Sequence, residues 1–143
     1  MSVKWDTAAT TDRVRRAVGR GVMATAEWVK NDAVRRIIEP PKTGELYVGA
    51  PFRIGLPPHQ ASAPGESPAD DSGALKASGR VDKVNDLKAS VKFGGIGGVD
   101  YARDLEFGIL TGDKPLEARP YLRPALLAGM KQVKRIIEEE LAK

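Results

Sequence analysis

The single histidine of the chain, His59, stands directly after Pro57 and Pro58. A histidine working as a general base or a metal ligand is held by a second group on rigid structure. A Pro-rich stretch meets that need poorly. There is no cysteine, which removes disulfides, thiolate nucleophiles and zinc-thiolate sites together. Paired carboxylates could do acid–base work, and Asp70, Asp71, Asp82 and Asp86 are the available set, yet loop carboxylates are too common to define a site by presence alone. Gly94-Gly95-Ile96-Gly97-Gly98 invites comparison with a phosphate-cradling loop. The Walker pattern needs Gly-Lys-Ser/Thr and the dinucleotide fingerprint needs glycines between a strand and a helix; this run has neither and reads as a turn. Arg13, Arg15, Arg16 and Arg20 cluster in a few helical turns. They read first as a solvated face, with nucleic acid or an acidic neighbouring subunit as the alternatives. The residue chemistry therefore points away from an enzyme, and no cofactor or metal is expected.

The elements that would carry these residues fit one domain, 1–143, since 143 residues supply one modest core. With 23 basic and 19 acidic residues, a net charge of +4 and a pI of about 9.4, the surface is mixed: it permits a phosphate-rich partner without demanding one. No apolar run approaches the roughly 20 residues of a membrane span. The start MSVKWDTAATTDR lacks the apolar core of a secretory signal, so the product is expected in the cytoplasm where it is made.

From 12 to 39, Val14, Val18, Val22, Ala26, Val29, Ala33 and Ile37 recur at helical spacing, with Thr11 as cap and Pro40-Pro41 as stop. Gly19 and Gly21 weaken the early turns and suggest a bend or a close backbone contact. A short extended piece at Glu45 to Val48 has a possible partner at Phe52 to Leu56. Residues 51–74 form a Pro-rich arm with little that a private core could bury. We read it as ordering against a neighbour, with Arg53, His59, Pro64, Gly65 and Glu66 as candidate interface residues. Asp71 or Ser72 could cap a helical turn ending at Gly79. A β-hairpin is predicted over 80–93, turning at Asn85-Asp86, with Leu87, Ala89, Val91 and Phe93 on one face. Tyr101 to Gly108 suits a helical turn somewhat better than a strand. Over 122–142 a second long helix carries the stripe Leu122, Leu126, Met130, Val133, Ile137 and Leu141, with Pro124 in its first turn. Glu138, Glu139 and Glu140 oppose its dipole, so its end should fray unless basic groups approach. The fold class is α+β: long N-terminal and C-terminal helices packed on an antiparallel β-sheet, with a long Pro-rich loop or arm.

Tyr101-Ala102, then Glu106-Phe107-Gly108, then Arg119-Pro120-Tyr121-Leu122-Arg123-Pro124-Ala125 make the signature segment, 101–125. This order resembles the C-terminal signature of the tail-completion, or head-tail joining, proteins in the neck of lambda-like long-tailed bacteriophages. Gly108-Ile109 departs from the usual Gly-Thr, and Tyr121 stands where Phe is more usual. The resemblance implies an α+β virion subunit, made in the host cytoplasm, that forms a ring between the connector or stopper and the tail terminator or tail tube. Six copies would suit a sixfold tail, and DNA would pass through the channel without sequence-specific contact; no membrane is involved. Tail terminator, head-side stopper and small DNA-binding module are the alternatives. Within the signature, Glu106 and Arg119 suggest a charge pair, since arginine can hold a carboxylate at two points. Tyr121, Leu122 and Leu126 are expected in the subunit core.

Overall fold

The computed structural model describes residues 6–48, 54–95, 97 and 99–143. Helix α1 (Thr7–Ile38) has 32 residues and is about 48 Å long at 1.5 Å per residue. It starts before Asp12 because Asp6, not Thr11, caps it: the Asp6 carboxylate accepts the Ala9 N–H at 3.0 Å. Thr10 and Thr11 turn their hydroxyls onto the carbonyls of Asp6 and Thr7 one turn back, a use of hydroxyl residues that competes with capping. The helix stops where Glu39 becomes extended, as the residue before a proline must. Lys42 then returns its Nζ to the Arg36 carbonyl at 2.9 Å and satisfies an acceptor of the last turn.

Two antiparallel ladders stand where one sheet is expected. Strand β1 (Leu46–Tyr47) pairs with β2 (His59–Gln60), and β3 (Arg80–Asn85) pairs with β4 (Lys88–Lys92). The partner of the Glu45 to Val48 segment is thus His59–Gln60, not Phe52 to Leu56. Ile54 to Leu56 form a turn, and Phe52 and Arg53 lie outside the described residues. Between the ladders, α2 (Ala74–Ala77) is a single helical turn that Ser72 helps to start by accepting the Ala74 N–H at 3.3 Å. Asn85 accepts the Leu87 N–H at 2.9 Å, which fixes the tight turn of the second hairpin. Leu87 itself points outward, 52% exposed. Helices α3 (Ala102–Phe107) and α4 (Leu122–Leu141) complete an α+β fold.

α1 lies against α4 and against the β3–β4 hairpin. Val29, Ala33, Ile37, Leu75, Val99, Ala102, Tyr121 and Ala125 form the core, with Phe93 edge-on to Tyr121 at a ring separation of 5.2 Å. Only the second half of the predicted α1 stripe is in it. Val14 is 45% exposed, and every residue from Asp6 to Arg16 is exposed, lying beside the end of α4 and the turn of the second hairpin without being covered by them. Ala17 and Gly21 are buried instead.

α4 is also turned from its predicted orientation. Its buried residues are Ala125, Gly129 and Ile136, whereas Leu126 and Met130 are 51% and 64% exposed. The reason is close helix approach. A Cβ on Gly129 would lie 2.4 Å from Val29 Cγ2, and one on Gly21 would lie 2.8 Å from Ile137 Cγ1. Bulky side chains cannot occupy a contact that tight. Gly19 makes the close backbone approach expected of it, since a Cβ there would meet the Asp86 carbonyl at 2.6 Å. Among the described residues, no helix is long and apolar enough to cross a membrane.

Candidate functional site

The residues of the 101–125 signature converge on the junction of α3 and α4. Gly108 ends α3 at φ +76°, its N–H donating to the Asp104 carbonyl at 2.8 Å. A Cβ there would lie 2.7 Å from the Leu116 carbonyl. Ile109 and Leu116 exchange both backbone hydrogen bonds, and the Arg119 N–H returns to the Leu105 carbonyl at 2.6 Å. Chain direction is thereby set for α4.

Glu106, only 9% exposed, completes the junction. Its Oε2 accepts the N–H groups of Tyr121 and Leu122, both at 2.9 Å, and its Oε1 accepts that of Arg123 at 2.7 Å. Pro124 brings no N–H, so one carboxylate answers the donors at the start of α4 and sits at the positive end of its dipole. The expected Glu106–Arg119 pair is therefore not formed. The carboxylate's oxygens are taken by the helix start, and the Arg119 guanidinium donates to the carbonyls of Ser62 and Glu117, each at 3.2 Å.

Around this junction Ala102, Tyr121 and Ala125 are core residues and Leu122 packs partly against them, while Leu126 does not join them. Burial pushes the Tyr121 phenol pKa up, and the neighbouring Glu106 and Tyr101 add to the rise. The Pro120 carbonyl accepts the Ser67 hydroxyl at 3.0 Å. Tyr101, Phe107 and Arg123 face outward.

The candidate interface residues of the 51–74 segment are divided. Arg53 lies outside the described residues. His59 is half-buried in β2, its Nδ1 3.7 Å from an Asp71 carboxylate oxygen. Pro64 is exposed, but the Gly65 N–H donates to the Ala118 carbonyl at 2.9 Å. Glu66 accepts from the Thr43 hydroxyl at 2.6 Å and from the N–H groups of Thr43 and Ala63 at 2.9 and 2.8 Å. Those bonds, the Thr43 hydroxyl's first, hold its carboxyl below the ordinary range. Ser62 and Pro68 are buried. The stretch from Ser62 to Pro68 thus folds onto the rest of its own chain rather than reaching outward, because its backbone groups find local partners. In the connection between β1 and β2, the described Val48, Ile54 and Leu56 are 63%, 82% and 56% exposed.

A cleft of about 380 Å³ beside this ladder is lined by His59, Asp70, Asp71, Tyr101 and Arg119 among others. The four aspartates are engaged separately. Asp70 meets Lys76, Asp82 meets Lys92 at 2.7 Å, Asp86 meets Lys83 at 3.0 Å, and Asp71 lies beside His59. Among the described residues, no three histidine, aspartate or glutamate side chains gather as a metal ligand set. Gly94 and Gly95 form a turn, Gly94 donating to the Ser78 hydroxyl at 2.9 Å and Gly95 to the Val99 carbonyl at 3.3 Å; Ile96 and Gly98 are outside the described residues.

Two surfaces remain. Arg13, Arg15 and Arg16 line the exposed start of α1. Arg20 turns to α4, donating to the Glu140 carboxylate at 2.9 Å and to its carbonyl at 3.2 Å. Lys143 meets the same carboxylate, and Arg135 and Lys134 meet Glu139 and Glu138, so basic groups do approach the acidic end of α4, and the helix runs on to Leu141. The second surface is an apolar groove of about 350 Å³ between α1, β4 and α4, which the helical stripes alone did not reveal. Its signal was the spacing Ala17/Gly21 and Ala125/Gly129, small residues one turn apart on both helices. Such pairs draw the helices together and displace bulky side chains to the flanks. Compared with protein-family models, with curated proteins and with solved structures, the chain matches none.

Proposed function

We propose that this chain is a structural subunit of the neck of a long-tailed bacteriophage, a tail-completion protein that works in the virion. Copies form a ring, six suiting a sixfold tail, which joins the tail to the DNA-filled head and leaves a channel for DNA. Its partners are other copies of itself, a connector or stopper on one side and a tail terminator or tail tube on the other. It performs no chemistry and needs no cofactor, and the Pro-rich segment supplies an arm, with the exposed Ile54 and Leu56 among its contacts. The observation that carries this reading is the Tyr101 to Ala125 signature, whose separated pieces act as one device around Glu106. The large uncovered apolar side chains of α4 agree with a subunit that works in contact with others.

A particle reconstruction tests the proposal directly, with density for this chain expected in a ring between portal and tail tube. Density in an adjacent neck ring would assign it as terminator or stopper instead. A stable folded monomer absent from purified virions would sink the reading. The exposed arginines of α1 favour a second reading, a small DNA-binding module. It predicts duplex binding by the isolated chain that falls steeply with salt.

A further inference from the structure

The exposed start of α1 lies between two shallow hollows. One, of about 620 Å³, lies between it and the turn of the β3–β4 hairpin, and the other, of about 560 Å³, between it and the end of α4. Gly19 lets the hairpin turn come so near, since the Asp86 carbonyl lies 2.6 Å from where a Cβ would stand. Arg16 and Arg20 line both hollows, Arg15 and Lys83 the first, and Arg13 and Lys143 the second. Against these six basic side chains stand three carboxylates, Asp12, Asp86 and Glu140. That excess of three positive charges is most of the net +4 of the whole chain, so the basic character of the protein is concentrated at this end.

Half of these basic groups are already engaged. Glu140 takes the Arg20 guanidinium at 2.9 Å and Lys143 meets the same carboxylate, while Lys83 holds Asp86 at 3.0 Å. Arg15 lies near enough to help Lys83 lower the Asp86 carboxyl pKa, yet forms no ion pair with it. Among the described residues, no carboxylate pairs with Arg13, Arg15 or Arg16. Two positions on a helix of 3.6 residues per turn are about 200° of rotation, which is why Arg13 borders the α4 side and Arg15 the hairpin side, with Arg16 between them. The three unpaired guanidiniums thus fan over both shoulders of one helix. Each has the planar fork that binds a phosphate at two points. Among the described residues, no aromatic ring lines either hollow, so nothing there offers unpaired bases a stacking platform.

We propose that this surface binds the phosphate backbone of duplex DNA through Arg13, Arg15 and Arg16, without reading base sequence. The inference rests on the readings above in that each brings the chain against DNA, and it deepens them by naming the side chains that meet it. A fan of this width reaches phosphates of both strands across a groove, whereas a single strand offers one row. Counterion release sets the strength. Each neutralised phosphate adds about 0.9 to the log–log dependence on salt, so three contacts give a slope of about −2.7, and a fourfold rise in salt weakens binding about fortyfold. Contact by one copy is therefore weak and quickly reversed, which lets DNA slide past the surface.

Fluorescence anisotropy of the full chain with short duplexes of two unrelated sequences, titrated at several salt concentrations, tests this. Both duplexes should bind alike, with a slope of about −2.7. Arg13→Gln, Arg15→Gln and Arg16→Gln, all at exposed positions, should keep the melting profile of the unchanged chain and each reduce the slope by about 0.9. Glu140→Gln, which releases Arg20 and Lys143, should steepen it, a gain that a damaged fold would not give. No binding at low salt, arginine variants with an unchanged slope, tighter binding of a single strand than of a duplex, or preference for one sequence overturns the inference. Tighter binding of polyglutamate than of DNA would also overturn it and assign the surface to an acidic protein partner. Duplex binding by a chain absent from purified virions would leave this surface standing and remove the neck reading. A chain seen in the neck ring that binds no duplex at low salt would do the reverse.

Discussion

At the scale of single residues, Glu106 decides how α4 begins. Three N–H groups depend on its carboxylate, so Glu106→Ala should lower stability by about 2–4 kcal/mol in chemical denaturation, with Glu106→Gln losing less because one oxygen remains. Arg119→Lys should add to either with a coupling of no more than about 0.5 kcal/mol, since the two side chains share no bond. Tyr121 poses a different question. Its hydroxyl reaches the Ala102 carbonyl only at 3.5 Å, at the limit of a hydrogen bond, while its ring is 1% exposed. Tyr121→Phe should therefore be nearly neutral in thermal unfolding and Tyr121→Ala should cost about 3–5 kcal/mol.

At the scale of elements, the α1–α4 contact is set by glycines. Gly129→Ala gains about 1 kcal/mol of helix propensity but drives a methyl into Val29. A net loss of about 1–3 kcal/mol is expected from the melting midpoint, since overpacking a tight contact outweighs propensity. Asp32, 5% exposed on α1, provides the pH-sensitive feature of the same helix. Burial raises its pKa, but hydrogen bonds from Arg35 and Arg36 outweigh burial, and the carboxyl is held below the ordinary range. A group whose folded pKa is depressed stabilises the fold above its unfolded value, about 3.9, and loses that contribution as pH falls through the folded value. Asp32→Asn should thus be less stable than the unchanged chain at pH 7, by about 1–3 kcal/mol, and the gap should narrow below about pH 4.

Both long helices, the 80–93 hairpin and the role of Gly108 were legible in the sequence because each depends on local periodicity or one backbone requirement. The rotation of α4 was not. Leu126 and Met130 make a regular apolar stripe, and only the tertiary approach of Gly21 and Gly129 turns that stripe out. Nor could the Glu106 carboxylate be assigned from spacing. Arg119 was a plausible ionic partner, while the backbone N–H groups that take Glu106 are the same in every sequence.

At the scale of the whole molecule, the first turns of α1 add nothing to the buried core. Since Asp6 to Arg16 are exposed throughout, removing residues 1–12 should move the melting midpoint by no more than about 2 °C. A larger drop would mean that the contacts of this end of α1 with the end of α4 and the hairpin turn carry stability.

The link between Arg20 and Glu140 ties the early part of the chain to its last turn, and Val29, Ala33 and Ile37 share their core with Tyr121 and Ala125. During synthesis α1 is complete long before α4 exists. At about 5–20 residues per second, its apolar face waits several seconds for the helix that covers it. The ribosome thus releases this chain in an order that favours neither early collapse nor independent folding of the first half. The α1 face stays uncovered until its own α4 is made, which makes the tempo of translation part of how this chain reaches its native packing.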